Sequence, residues 1–361
     1  MIAAGMSLPT LHRLVACLVR EGLAGAVRDG RHLVVKTPGC TFRVLFEGTN
    51  PSSPHPQDLR GGVMLGRRVL QDPAELLGFC RLDWPWKRIE AVQQELRSSV
   101  EHGALSTVFR RPAPRLGDPA LAWEAAVVEG HATHPNHRCR QGLSLPHAYL
   151  WCAEMGGFVD LCFARVEKLR VHGPFWELLE GWLPEPGLLP IHPGQAIQLG
   201  HDPGELQRPI PVEAMRWAGG APVEPAGGEH HHHHQHTSSV VDVPLEWTSH
   251  RRRAWTQASL RTVCPEGLGL HLKLPLAVTT TSALRTVSPF SLANGPRISA
   301  LLAGLAPPGL HVVRELASAG MVHEDWQVAR HVGCILRADP QAELPGEDLV
   351  VACALVERDE H

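Results

Sequence analysis

Residues 129–142 read EGHATHPNHRCRQG, placing His131, His134 and His137 with Arg138 and Arg140 in a segment bounded by Gly130 and Gly142 and broken by Pro135. Arginine is permanently charged and presents forked donor pairs that match phosphate or carboxylate oxygens, and histidine adds donors that titrate near neutrality. The stretch therefore reads as a loop built to hold an anion, with His137, Arg138 and Arg140 as phosphate donors and His131 and His134 shaping the loop. A metal site made from the three histidines is the competing reading. Pro135 and Asn136 interrupt the helix it would need, and two adjacent guanidiniums are poor neighbours for a cation.

Two further segments combine hydroxyls with cations. Ser259, Arg261 and Thr262 fall within four residues, and Lys273 precedes an apolar run ending in TTTSALRT, residues 279–286, which carries Thr281, Ser282 and Arg285. If Lys273 opens a strand and 279–282 form a turn, Lys273 and Arg285 share one cleft, and the three segments together suggest a polyphosphate pocket. The plainer alternatives are a strand with one polar face for 259–262 and an edge-strand lysine that blocks aggregation.

Five strings in order carry a family resemblance: EGHATHPNHRCRQG, LPIHPGQ (189–195), ASLRTV (258–263), KLPLAVTTTSALRTVSP (273–289) and NGPRIS (294–299). Together they resemble the synthetases of siderophores made without a peptide-synthetase template, the IucA/IucC family, from about Glu95 to Val356. The resemblance implies a hand-like α+β fold, and ATP with Mg2+ as cofactors. It also implies activation of a carboxylate, such as citrate or a dicarboxylate derivative, as the acyl-adenylate, followed by transfer to an amine or hydroxyl. By the same resemblance Ser259, Arg261, Thr262 and Lys273 contact phosphate, Arg285 lies between nucleotide and acid, and Thr281 and Ser282 line the acid.

Two departures stand out. Arg138 replaces the family's usual Lys, and Gly194 replaces the Trp of its HPWQ string. The family's distal His-x-x-Asn element and the acidic residues that complete the nucleotide and magnesium site are expected beyond His361. On that reading the chain corresponds to amino-terminal and middle portions, needs a carboxy-terminal partner chain or a homodimer, and turns over poorly alone. A non-catalytic binding subunit or a truncated relic is the alternative. No catalytic or metal-ligating residue is identified.

The bulk properties exclude several classes. The chain has 361 residues, 43% hydrophobic and 20% charged, with a formal net charge of −3. It can bury one large core or two modest ones, and it lacks the basic excess of a nucleic-acid-binding domain. No run approaches the roughly 20 apolar residues of a membrane span. Nine cysteines, an odd number with no CxxC pair, point to a reducing cytoplasm rather than a disulfide framework. Only four lysines occur, Lys36, Lys87, Lys168 and Lys273.

Along the chain, apolar positions from Leu11 to Val19 recur at helical spacing, with Thr10 as N-cap and Gly22 as stop. Leu33–Val35 and the alternating Phe42, Val44 and Phe46 form a hairpin around Pro38-Gly39. A helix followed by a hairpin resembles a winged helix, but no basic recognition helix precedes the hairpin. A loop over 51–60, helices over 73–79 and 86–100, and a linker over 105–118 complete an amino-terminal helix-and-hairpin portion, residues 1–118. By the family resemblance, residues 119–361 form the portion expected to bind ATP and carboxylate. It contains a Pro/Gly-dense region at 184–204, in which His192 holds a turn beneath the pocket, and a His-rich surface insertion at 229–236 that would retain the chain on metal resins.

Overall fold

The structure is a computed structural model that describes residues 5–111, 119–204 and 243–346. The His-rich run 229–236 and the strand-like run 348–356 lie outside the described residues. Helix α1 (Leu8–Arg20) turns Leu11, Leu14, Val15 and Leu18 inward. It begins earlier than the apolar spacing predicts, because Pro9 sits in its first turn with a preset φ and no N–H to satisfy. Thr10 is therefore not the cap: it is buried in the helix, with its hydroxyl 3.0 Å from His137 Nε2. The predicted stop is correct, since Gly22 takes φ +70° and donates its N–H to the Val19 carbonyl.

The predicted hairpin is present as β2 (His32–Lys36) and β3 (Thr41–Phe46), paired antiparallel with Val35 opposite Phe42. It is the centre of a five-stranded antiparallel sheet with β1 (Gly25–Asp29) outside β2, and β4 (Leu59–Leu65) and β5 (Arg68–Leu70) beyond β3. The 51–60 loop thus ends two residues early, because Leu59 is buried and opens β4. Phe42, Val44 and Phe46 share a core with α1 and with Leu76 and Leu77 of α2 (Pro73–Cys80). Each such side chain contributes about 1.5–3 kcal/mol of transfer free energy.

Helix α3 spans Trp86–Phe109, so the linker read from Leu105 is wrong over its first five residues. No proline interrupts the segment before Pro112, and Leu105 and Ser106 are fully buried. One face of α3 carries buried Ser98, Ser99, His102 and Ser106. These receive the loop that follows α4 (Pro119–Ala126): Ser99 and Ser98 accept from the Arg138 and Arg140 amides at 3.0 and 3.1 Å.

The larger core lies under a nine-stranded antiparallel sheet, counted over the described residues. Its strands are β7 (Phe158–Val166), β8 (Leu169–His172), β9 (Leu188–Ile191), β10 (Leu245–Trp247), β11 (Arg252–Thr256), β12 (Thr262–Pro265), β13 (Leu270–Lys273), β16 (Glu315–Met321) and β17 (Gly333–Ala338), in the order β10-β7-β11-β12-β13-β17-β16-β8, with β9 also on β7. Alternation puts Val263, Leu272 and Leu336 into the core with Tyr149 and Trp151 of α5 (Leu145–Trp151). Register then sends Thr262, His271, Lys273, Arg337 and Glu315 to the opposite face. A small sheet of β6 (Arg140–Gln141), β14 (Leu276–Thr280) and β15 (Ala283–Arg285) joins the 129–142 loop to the TTTSALRT segment, with Thr280 opposite Arg140. Lys273 therefore closes a strand instead of opening one, and the turn is confined to Thr281 and Ser282.

His192 performs the structural task expected of it. It caps α7 (Pro193–Gln198), accepting the Gly194 amide on Nδ1 at 3.0 Å, and full burial depresses its pKa to about 3. A Cβ on Gly194 would lie 2.9 Å from the Trp151 ring and 3.0 Å from Leu276. The space a side chain would take here is already filled by Trp151, which suits the glycine at this position.

Candidate functional site

The 129–142 loop and the sheet face use their cations in different ways. Arg138 and Arg140 are 4% and 3% exposed, and both converge on Glu154, whose Oε1 lies 2.7 Å from Arg140 Nη2 and 3.6 Å from Arg138 Nη1. Arg138 also donates to the Val127 and Val128 carbonyls, Arg140 donates to the Cys152 sulfur, and Ser106 donates to the same Glu154 oxygen. Burial alone would raise the Glu154 pKa, but the two guanidiniums override it and hold the pKa at about 2. His137 lies between Thr10 and the Glu129 carbonyl, and burial beside Arg13 keeps it neutral. Three of the predicted phosphate donors thus have their polar atoms engaged inside the chain.

The downstream segments meet on the non-core face of the large sheet. Ser259 and Arg261 belong to a turn ahead of β12, not to a polar-faced strand, and Leu260 between them takes φ +64°. Ser259 Oγ accepts the Thr262 amide at 3.2 Å, and Arg261 donates to the Thr286 carbonyl at 2.9 Å. Half-buried Arg261 has its pKa lowered to about 10, by desolvation first and then by Arg285 and Arg337. Lys273 lies 2.8 Å from Glu315 Oε1, and Arg337 approaches the same oxygen at 3.6 Å. Glu124 accepts the Ala258 amide at 2.8 Å and also feels Arg337. Arg261, Lys273, Arg285 and Arg337 therefore form a cluster of four cations against two carboxylates.

At the adjoining end Arg285 reaches back to Thr280 Oγ1 and lies 3.4 Å from Thr281 Oγ1. Ser282 is exposed, with its hydroxyl 3.5 Å from His134 Nε2. Thr281 takes φ +55°, a conformation costly for a β-branched residue and one associated with functional turns. Arg285, Thr281, Ser282 and His134 thus share one rim, and Arg285 links it to the cation cluster.

Glu154, Glu315, Arg337 and Glu124 were not read from the sequence. Glu154 gives a usable signal, a lone acid in the otherwise apolar or small WCAEMGG stretch at 151–157. Glu315 and Arg337 give none, because their proximity to Lys273 arises only from strand order. Among the described residues no group of three or more His, Cys, Asp or Glu could hold a metal ion. The magnesium implied by the resemblance finds no ligand set there, so the reading of the site rests on its cations. No helix among the described residues is long and apolar enough to cross a membrane.

Residues 229–357 match the IucA / IucC family. The chain is 29% identical over 288 residues to the NRPS-independent siderophore synthetase rfs of Rhizopus delemar, covering 74% of this chain and 41% of that protein. In fold it is similar to the petrobactin biosynthesis protein AsbB from Bacillus anthracis, with a TM-score of 0.67 at 16% identity, over 95% of this chain and 59% of that one. It is also similar to ATP-bound aerobactin synthetase IucA from Klebsiella pneumoniae, with a TM-score of 0.63 at 16% identity, over 95% and 63%. The fold is therefore the α+β architecture of these synthetases. More particularly, the chain is similar to the IucA/IucC group of NRPS-independent siderophore synthetases, as its ordered motifs indicate, and spans about two fifths of the curated relative's length.

Proposed function

We propose that this chain binds ATP and a carboxylate for siderophore biosynthesis, with the triphosphate on the cation cluster and the acid on the adjoining rim. The observation that carries this reading is the gathering of Arg261, Lys273, Arg285 and Arg337 on one face, with Lys273 and Arg337 sharing one Glu315 oxygen at 2.8 and 3.6 Å and Arg261 lowered in pKa beside Arg285 and Arg337. A half-buried cluster with excess positive charge is relieved by a polyanion and was assembled at a cost in stability. Arg261, Lys273 and Arg337 then face the phosphates, and Arg285 bridges to an acid lined by Thr281 and Ser282. Similarity to a synthetase solved with ATP supports the choice of nucleotide.

In this reaction a carboxylate oxygen attacks the α-phosphorus, the bond to the β,γ-pyrophosphate breaks, and its electron pair leaves with pyrophosphate. An amine or hydroxyl then displaces AMP from the acyl carbon. Both reactants of the first step are anions, so the chain's contribution is to neutralise charge and align them. For His137, Arg138 and Arg140 we propose an architectural part, fixing β6 beneath the rim. The test is calorimetric titration of ATP together with acid-dependent ATP–pyrophosphate exchange, using citrate as first acid. Saturable ATP binding weakened by Arg261→Ala is expected. Binding without exchange would favour a non-catalytic partner subunit, and no ATP binding would overturn the reading.

A further inference from the structure

We propose that Glu315 is a positioning residue that fixes the Lys273 ammonium for the phosphates, an inference that rests on the nucleotide reading of the site. Three observations converge on it. Glu315 lies opposite Arg337 in the β16/β17 pair, and the register shifts between Glu315 and Ala317, a bulge of the kind that re-aims a side chain. Its Oε1 then sits 2.8 Å from Lys273 Nζ and 3.6 Å from Arg337 Nε. The carboxylate is 13% exposed and is held from behind.

That backing comes from helix α8 (Pro289–Leu305). Ser299 accepts the Glu315 amide at 3.0 Å, and a Cβ on Gly295 would stand 2.1 Å from Glu315 Oε2. Only glycine lets the carboxylate seat under the helix, so Oε2 is lodged there while Oε1 faces the cations. A lysine on a flexible four-carbon stem is a mobile point charge, and one charge-assisted bond from a seated carboxylate restricts it while leaving two N–H donors for an anion. Glu315 also keeps Lys273 and Arg337 together when no phosphate is present.

The experiment is a double-mutant cycle in ATP affinity using Lys273→Ala and Glu315→Gln, with melting temperatures recorded for every variant. Lys273→Ala alone is expected to weaken ATP binding about tenfold or more, as for loss of a charged hydrogen bond. In the Glu315→Gln background it should weaken binding severalfold less, because the unheld ammonium contributes less. Equal or larger loss in that background would overturn the positioning role. No loss from Lys273→Ala in the wild-type background would instead overturn the nucleotide reading of this lysine. Gly295→Ala supplies a second route, since it displaces the carboxylate without removing its charge and should shift the Lys273 ammonium resonance in a chain with four lysines. An unshifted resonance in folded Gly295→Ala protein would also count against the proposal.

Discussion

Two groups of arginines differ in their partners, and Arg140 on β6 and Arg285 on β15 mark the two edges of one small sheet. Arg138, just before β6, and Arg140, on it, share the buried carboxylate of Glu154. Arg261, in the turn ahead of β12, and Arg285, on β15, instead crowd each other, and desolvation together with this repulsion lowers the Arg261 pKa. Residue type is the same in both places; the internal counter-ion makes the difference. Under the proposed function, a buried cation that shares an internal carboxylate is architecture, whereas a half-buried cation crowded by others is the one that receives the anion.

The comparison can be broken most forcefully at Glu154. Glu154→Ala should lower stability by about 3–5 kcal/mol, because it removes the buried carboxylate on which two buried guanidiniums converge. A melting curve within a few degrees of wild type would place the pair in water. Acid should expose the same interior. His102 is buried, with its pKa lowered to about 4 by desolvation and by Arg140. A histidine depressed in the folded state stabilises while neutral, so its contribution is complete above the unfolded value of 6.5 and fades as pH falls toward about 4. Glu154, depressed from 4.5 to about 2, stabilises above 4.5 and loses that contribution as pH falls toward about 2. Chemical denaturation should therefore show stability falling from pH 6.5 downward, with roughly 3 kcal/mol of the loss due to His102 at about 1.4 kcal/mol per unit. A flat profile to pH 4 would contradict that burial.

Smaller effects belong to the open face. Arg285→Ala should cost about 1.5–3 kcal/mol of ATP affinity while leaving the melting temperature nearly unchanged. Calorimetry with equal affinity for the variant would remove Arg285 from the site. Smallest of all, Ser259→Ala should cost about 1 kcal/mol of stability, the value of one turn hydrogen bond to the Thr262 amide. A larger fall in ATP affinity than in stability would show that the hydroxyl reaches the phosphates instead.

Local periodicity made α1 and the β2/β3 hairpin legible, and the ordered motifs pointed to the fold. Strands β1 and β5 were missed because GAVRD and RVL lack the alternation that marks a buried face. The extension of α3 was missed because Ser98, Ser99, His102 and Ser106 look like surface until the loop that covers them is in place. Within the proposed site, the family resemblance names Arg261, Lys273 and Arg285, whereas type and spacing alone leave 259–262 more readily a polar-faced strand. Glu315 and Arg337 are 42 and 64 residues from Lys273 in sequence, and antiparallel register brings them to it.

The central claim is that the polyphosphate seat is the open cluster and not the histidine- and arginine-rich loop. It is tested most directly by titrating ATP into Arg261→Ala and into Arg140→Lys, each verified as folded by its melting curve. The expected result is affinity reduced about tenfold or more in Arg261→Ala and close to wild type in Arg140→Lys. Wild-type affinity in Arg261→Ala, with binding lost in folded Arg140→Lys, would contradict the account and return the phosphates to the loop.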